Sequence, residues 1–478
     1  MISLKIYLAL RKFSDKELKK FEKFASSKFI TGRNLSAIVK AIRKVASVVS
    51  EQTTNKEYIS LISGKLKIKE SVTVNRLSDL NKLVEFFLIL NITGSNKVRK
   101  NSLLLEYYLN EKNYSSFESV FLEQEKLLLN SKYSFNSLHS LAQLYEDASR
   151  KYFETFEYDK YLLFNQKKND YSVADFIINF LRSSIEICQQ NFYHKETVSG
   201  YSVFDNKIDI PGFIKNFKSE DVKADFLMQI LYNSYLSYVN PDKEEYYFKT
   251  VKLHAGSNKY FDDLLNNFLY LLNINYCIHK INLKKYEFYN EAFQLINSKL
   301  KENLYSELRI ANHLSSSFRN YINVGLRLNK YKWVNDFIDK YEKYLPAKIR
   351  NDDRNLNKAK LHIHKKEFPK ALEYLNSVKK TNIFQYTDSS FLKIRLYYFM
   401  NKHEEALEEI TRLKSYINYH RETPEFYLSK LLNHLKDSDR IVKYSIGLIS
   451  RQDLLYYYSK RKFPPIPAWI DEIIMNLK

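Results

Sequence analysis

Apolar residues recur along this chain three and four positions apart, and between Asn355 and Leu413 one pattern occurs twice. The first copy runs from Ala359 through Lys365-Lys366-Glu367-Phe368-Pro369-Lys370-Ala371-Leu372 to Leu375. The second runs from Ile394 through Asn401-Lys402-His403-Glu404-Glu405-Ala406-Leu407 to Ile410. Ala371 and Ala406 lie 35 residues apart, close to the roughly 34-residue period of a helix-turn-helix repeat. A small residue at this point lets two antiparallel helices approach closely.

The same spacing predicts helices elsewhere. Ser14-Asp15-Lys16-Glu17 is a capping box, followed by Leu18, Phe21, Phe24 and Ala25 on one face with Lys16, Lys19, Lys20 and Lys23 on the other. A second helix is expected after Asn34, a short one from about Thr54 stopped at Gly64, and a fourth carrying Leu77, Leu80, Leu83, Val84 and Phe87 to Gly94. Weaker copies of the repeat centre on Phe117, on Tyr286, Tyr289 and Phe293, and on Tyr331, Val334 and Ile338. Helices around 138–153 and 173–188 continue the rhythm, and turn residues between 192 and 212 break it. This gives a helical head over 1–95, a first repeat segment over 96–212, and a second over 213–460 with the clearest repeats at 355–415. A closing helix is expected in 461–478, because stacked repeats need a cap.

The stretch from Glu17 to Phe29 (ELKKFEKFASSKF) resembles the opening of a bacterial protein family with tetratricopeptide-like bodies, and Ser78 to Leu88 (SDLNKLVEFFL) resembles a later segment of it. The resemblance implies an all-α, right-handed superhelical solenoid of antiparallel helix pairs and implies no activity.

Composition agrees with long helices. The 478 residues include 8 Gly and 8 Pro, 45% are hydrophobic, and no proline precedes Pro211, so a turn-rich sandwich or barrel is disfavoured. The formal charge is +21, distributed unevenly. Residues 1–100 carry 21 basic against 8 acidic side chains, a surplus of 13 that leaves 8 for the other 378 residues. Such a charge suits nucleic acid or an anionic surface, but a lysine-rich, AT-biased composition produces it equally well. Cys188 and Cys277 cannot build a disulfide framework. No apolar run reaches the ~18 residues of a membrane span, and the first residues lack a secretory pattern. A cytoplasmic location and no membrane span are expected.

Catalytic motifs are missing. Gly64-Lys65 is followed by Leu66, where a phosphate-binding loop needs Ser or Thr. His362 and His364 stand about 200° apart on a helix and cannot share a metal. Cys188 lies on a stripe with Ile177, Phe180, Leu181 and Ile185, as a core residue would. No catalytic residue, metal or cofactor is expected.

Two binding readings remain. Tetratricopeptide domains that grip a peptide C-terminus resemble one another in a carboxylate clamp, with Lys and Asn on the first inner helix, Asn on the second, and Lys and Arg on the third. Aligned through Val334, Ala371 and Ala406, the clamp positions hold Arg319 and Asn323, then Asn357, then Asp388 and Leu392. The last cationic pair is absent, with Lys360 and Arg395 a turn or less away as substitutes. The leading expectation is therefore a non-catalytic protein- or peptide-binding scaffold whose groove prefers acidic partners. The alternative is a nucleic-acid-associated regulator, with Lys65, Lys67, Lys69 and Arg76 approaching a helix that loosely resembles a recognition helix.

Overall fold

A computed structural model describes residues 2–49, 53–193, 211–212, 214, 221–304, 311–379, 383–420, 425–461 and 467–477. The described residues form α-helices with short 3-10 turns, and one isolated bridge between Tyr133 and Phe261 is their only β pairing. Contacts divide the chain into two units, Met1–Ser131 with Asn136–Phe176, and Lys132–Phe135 with Ile177–Lys478.

The first unit begins with α1 (Ile2–Leu10), α2 (Asp15–Ser26), α3 (Ser36–Val45), α4 (Asn55–Leu66) and α5 (Glu70–Ser95). Ser14 and Thr54 each accept the backbone N–H three residues on while Glu17 and Glu57 reach back, which closes two capping boxes. Phe21, Ile38, Val39, Ile42, Tyr58, Ile62, Leu77, Leu80 and Leu83 are buried together. Phe87 seals that core against Phe21 and Phe24 at ring-centroid distances of 5.1 and 5.6 Å. Gly64 does not stop α4. An isolated glycine weakens a helix by about 1 kcal/mol relative to alanine without ending it, and the chain leaves at Lys67, whose backbone is left-handed (φ 54°).

Next come α6 (Lys97–Asn110), α7 (Tyr114–Asn130), α8 (Ser137–Glu154) and α9 (Tyr158–Tyr193). The single helix α9, 36 residues long, replaces the shorter one expected at 173–188, and no glycine or proline interrupts it. The expected break at 192–212 lies almost wholly outside the described residues, as do Pro424 and most of the proline-rich segment at 463–467.

The second unit continues with α10 (Val222–Val239), α11 (Glu245–Ser257), α12 (Asp263–Asn282), α13 (Phe288–Lys301), α14 (Ala311–Arg327), α15 (Tyr331–Tyr341), α16 (Arg350–His364), α17 (Phe368–Asn376), α18 (Ile383–Phe399) and α19 (His403–Tyr419). It ends with α20 (Glu425–Ser445), α21 (Arg451–Lys460) and α22 (Ala468–Leu477).

With a residue other than glycine at the turn, eight helices among the described residues end in one way, at Lys67, at Asn303 and at six further positions. Lys112, Phe156, Lys284, Asn329, Lys366 and Asn401 are left-handed, with φ between 55° and 66°. The next N–H bonds the carbonyl five residues back: Asn113 to Tyr108 at 2.8 Å, Lys330 to Gly325 and Glu367 to His362 at 2.9 Å, Lys402 to Tyr397 at 2.8 Å, with the same bond after Phe156 and Lys284. This closure satisfies the last carbonyls of the first helix. In five of the six, Tyr or Phe, or His403 in the last, starts the second helix two residues on.

The repeated alanines sit where the spacing placed them. Ala359, Ala371 and Ala406 are fully buried. Leu356, Ile363, Leu375 and Leu396 pack around the first two, and Ile394, Ile410, Leu413 and Leu431 around the third. Each fully buried Leu or Ile contributes roughly 1.5–3 kcal/mol. At the end of the chain Trp469, Ile470 and Ile474 of α22 close over Ile441 and Leu454.

Candidate functional site

First helices of consecutive pairs touch one another: α14 meets α16, α16 meets α18, and α18 meets α20. Polar residues at repeat-equivalent positions meet along this line. Asp353 on α16 is fully buried and accepts Arg319 Nη2 at 2.6 Å and Arg319 Nε at 3.2 Å from α14, and Gln385 Nε2 at 3.3 Å from α18. Arg319 Nη1 lies 3.8 Å from Asp388 Oδ2 on α18. Arg319, Asp353 and Asp388 follow one another at steps of 34 and 35 residues, so the period seen in the alanines also governs the charges.

The clamp positions therefore have different fates. Arg319 is engaged by Asp353 within the protein. Asn357 is fully buried, its Nδ2 donates to the Asp353 carbonyl at 2.7 Å, and its Oδ1 has no hydrogen-bond partner. Leu392 packs into the core around Ala371. Asn323 is exposed, and Lys360 and Arg395 are half-buried.

Beyond this knot the face is cationic. Lys360 and His364 stand one turn apart on α16, between Arg327 at the end of α14 and Arg395 on α18. Burial, then the fields of Arg395, Arg327 and Lys360, hold the His364 imidazole below its ordinary range. Burial also lowers the Lys360 ammonium, with Asp388 and Asp353 opposing and Arg319 adding to the effect. Arg395 is depressed by burial and by Arg327, with Glu472 opposing. Its Nε is enclosed without a hydrogen-bond partner, and its guanidinium lies 5.6 Å from the Phe399 ring. Of this group the sequence reasoning found Lys360 and Arg395. Arg327 and His364 are legible only after the pairs are aligned, since each closes a first helix just before the left-handed turn.

In the head, Lys65, Lys67 and Lys69 are exposed and Arg76 is half-buried. Lys65 lies in the last turn of α4, Lys67 forms its left-handed cap, Lys69 stands at the N-cap position of α5, and Arg76 lies in the second turn of α5. A second cationic patch was not singled out as a site: Lys16, Lys19, Lys20 and Lys23 of α2 line a recess with Lys40 of α3. Glu22 in that recess is 3.3 Å from Lys40 and 3.5 Å from Arg43.

His362 bonds Glu367 through Nδ1 and stacks on Tyr374, while His364 lies in the cationic group. Among the described residues no group of three His, Cys, Asp or Glu side chains is placed to hold a metal. Cys277 is buried against the Tyr247 hydroxyl at 3.1 Å, and burial pushes its thiol up to about 12. No helix among the described residues is long and apolar enough to cross a membrane.

No family model, curated protein or solved structure matches this chain.

Proposed function

We propose that the helix pairs stack as a tetratricopeptide-like solenoid and that the protein is a non-catalytic scaffold, binding a protein or peptide across its first helices. The observation that carries this reading is the line of contacts through α14, α16, α18 and α20, with Arg319, Asp353 and Asp388 at repeat spacing along it. Helix pairs joined in that manner leave a continuous inner face, the surface on which helical repeats hold extended guests. The surplus of unneutralised cations on that face supports an acidic partner. The test is capture from native lysate with the full chain, followed by mass spectrometry, alongside a variant carrying Asn323→Glu and Arg395→Glu. A partner retained by the native chain and lost by the folded variant supports the reading. Equal recovery by both refutes it.

The nucleic-acid reading rests on a separate observation. Lys16, Lys19, Lys20, Lys23, Lys65, Lys67 and Lys69 make no ion pair among the described residues. Mobility shifts of the full chain over a salt series test it, because each phosphate contact adds close to one unit to the salt slope. No shift at low salt removes it.

A further inference from the structure

We infer that Arg327, Lys360, His364 and Arg395 form a subsite for a phosphoryl group, presented by a phosphorylated side chain of a bound peptide. This rests on the scaffold reading and names the chemistry its inner face takes. Three consecutive first helices contribute: Arg327 from α14, Lys360 and His364 from α16, and Arg395 from α18. The carboxylates whose fields reach them are Asp388 and Asp353 at Lys360 and Glu472 at Arg395. Asp353 is bonded by Arg319 and Gln385, Asp388 faces Arg319, and Glu472 opposes Arg395 from α22. Tyr289, on α13, also bonds Arg327.

Arg327, Lys360 and Arg395 stand on touching helices and make no ion pair among the described residues. Lys360 makes no hydrogen bond or ion pair among the described residues, and the Arg395 Nε–H is enclosed with no acceptor. A buried guanidinium donor without an acceptor costs energy in the free protein, and an incoming oxyanion removes that cost. Charge and acceptor count favour phosphate over a carboxylate. A carboxylate offers two coplanar oxygens and one charge. A phosphoryl group carries close to two charges and three acceptor oxygens at neutral pH, which suits donors arriving from three helices. Arginine forks recognise such groups bidentately. His364, whose imidazole is held below its ordinary range by burial and then by its cationic neighbours, adds a further ring N–H donor.

The experiment uses the full chain with 13Cε1-labelled histidine, titrated with inorganic phosphate at constant ionic strength and with chloride as reference; His364→Asn identifies the resonance. Phosphate is expected to raise the His364 pKa saturably. Arg395→Gln and Lys360→Gln each weaken binding by roughly tenfold, the value of one charge-assisted contact, while Arg395→Lys retains part of it. Thermal melts confirm that each variant is folded. Equal response to phosphate and chloride, or affinity untouched by these substitutions, overturns the subsite. A second arm compares a phosphoserine decapeptide with its unphosphorylated form. Tighter binding of the phosphorylated form, competed by phosphate, supports the proposal. Equal binding of the two forms refutes the subsite and leaves the scaffold reading standing. Phosphate binding with no binding of either peptide refutes the peptide source, and capture of a partner still decides the scaffold reading independently.

Discussion

Arg319 and Asp353 are 34 residues apart and joined at 2.6 Å, and Asp353 is wholly shielded from solvent. The arginine that a clamp alignment assigns to a ligand instead neutralises a buried carboxylate one repeat further on. Removing one partner of a buried pair costs roughly 3–5 kcal/mol, because the other charge is left uncompensated. Arg319→Ala is expected to lose that much in urea unfolding. Arg319→Met with Asp353→Leu should lose far less. A loss below about 1 kcal/mol for Arg319→Ala shows that Asp353 is not held as described.

Gly325 and Gly64 are expected to respond oppositely to alanine. A Cβ at Gly325 would lie 2.7 Å from Val334 Cγ2 and 3.0 Å from the Trp333 ring, whereas at Gly64 it meets nothing within 4 Å. The propensity gain of about 1 kcal/mol is offset at Gly325 by overpacking of roughly 1–3 kcal/mol. Gly64→Ala should raise the melting temperature and Gly325→Ala should lower it.

The left-handed turns allow a gain in stability. Lys366 has φ 60°, a region that costs a residue with a Cβ on the order of 1 kcal/mol and costs glycine almost nothing. Lys366→Gly is expected to stabilise the protein by about 0.5–1 kcal/mol, and Lys366→Val to destabilise it. Parallel melts of the two variants check the sign.

Two buried histidines should each withdraw stability as the pH falls below neutral. His434 stacks on Phe391 at 3.7 Å, and burial, then Arg461, push its imidazole down to about 4. Buried His254 is also lowered, by burial, although its bond to Asn266 opposes this. A folded pKa below the unfolded value near 6.5 means that the unfolded chain binds the proton more tightly. The stabilisation is complete above about pH 6.5 and is lost as pH falls toward 4. His434 alone should cost about 2 kcal/mol by pH 5. In His434→Phe the decline between pH 7 and pH 5 should become shallower, as measured by urea midpoints.

The helices were legible because their apolar stripes recur at 3.6-residue spacing and because Ser14, Thr54 and the repeated alanines mark ends and close approaches. The turns were less legible, since Lys and Asn occupy positions where a reader expects glycine. The face was harder still. Asn357 and Asn323 carry the same side chain at equivalent positions 34 residues apart, yet one is buried beneath Asp353 and the other exposed. Lys360 and Arg395 could be named from the alignment, but Arg327 and His364 join them only across three helices that lie far apart in sequence.

The central claim is that the first-helix face of the second unit receives the partner. Hydrogen–deuterium exchange of the full chain, free and with the partner recovered by capture, tests this most directly. Slowed exchange concentrated in 316–327, 350–364 and 383–399 is the predicted result. Protection confined to residues 2–95, or to the second helices 331–341 and 403–419, would contradict it.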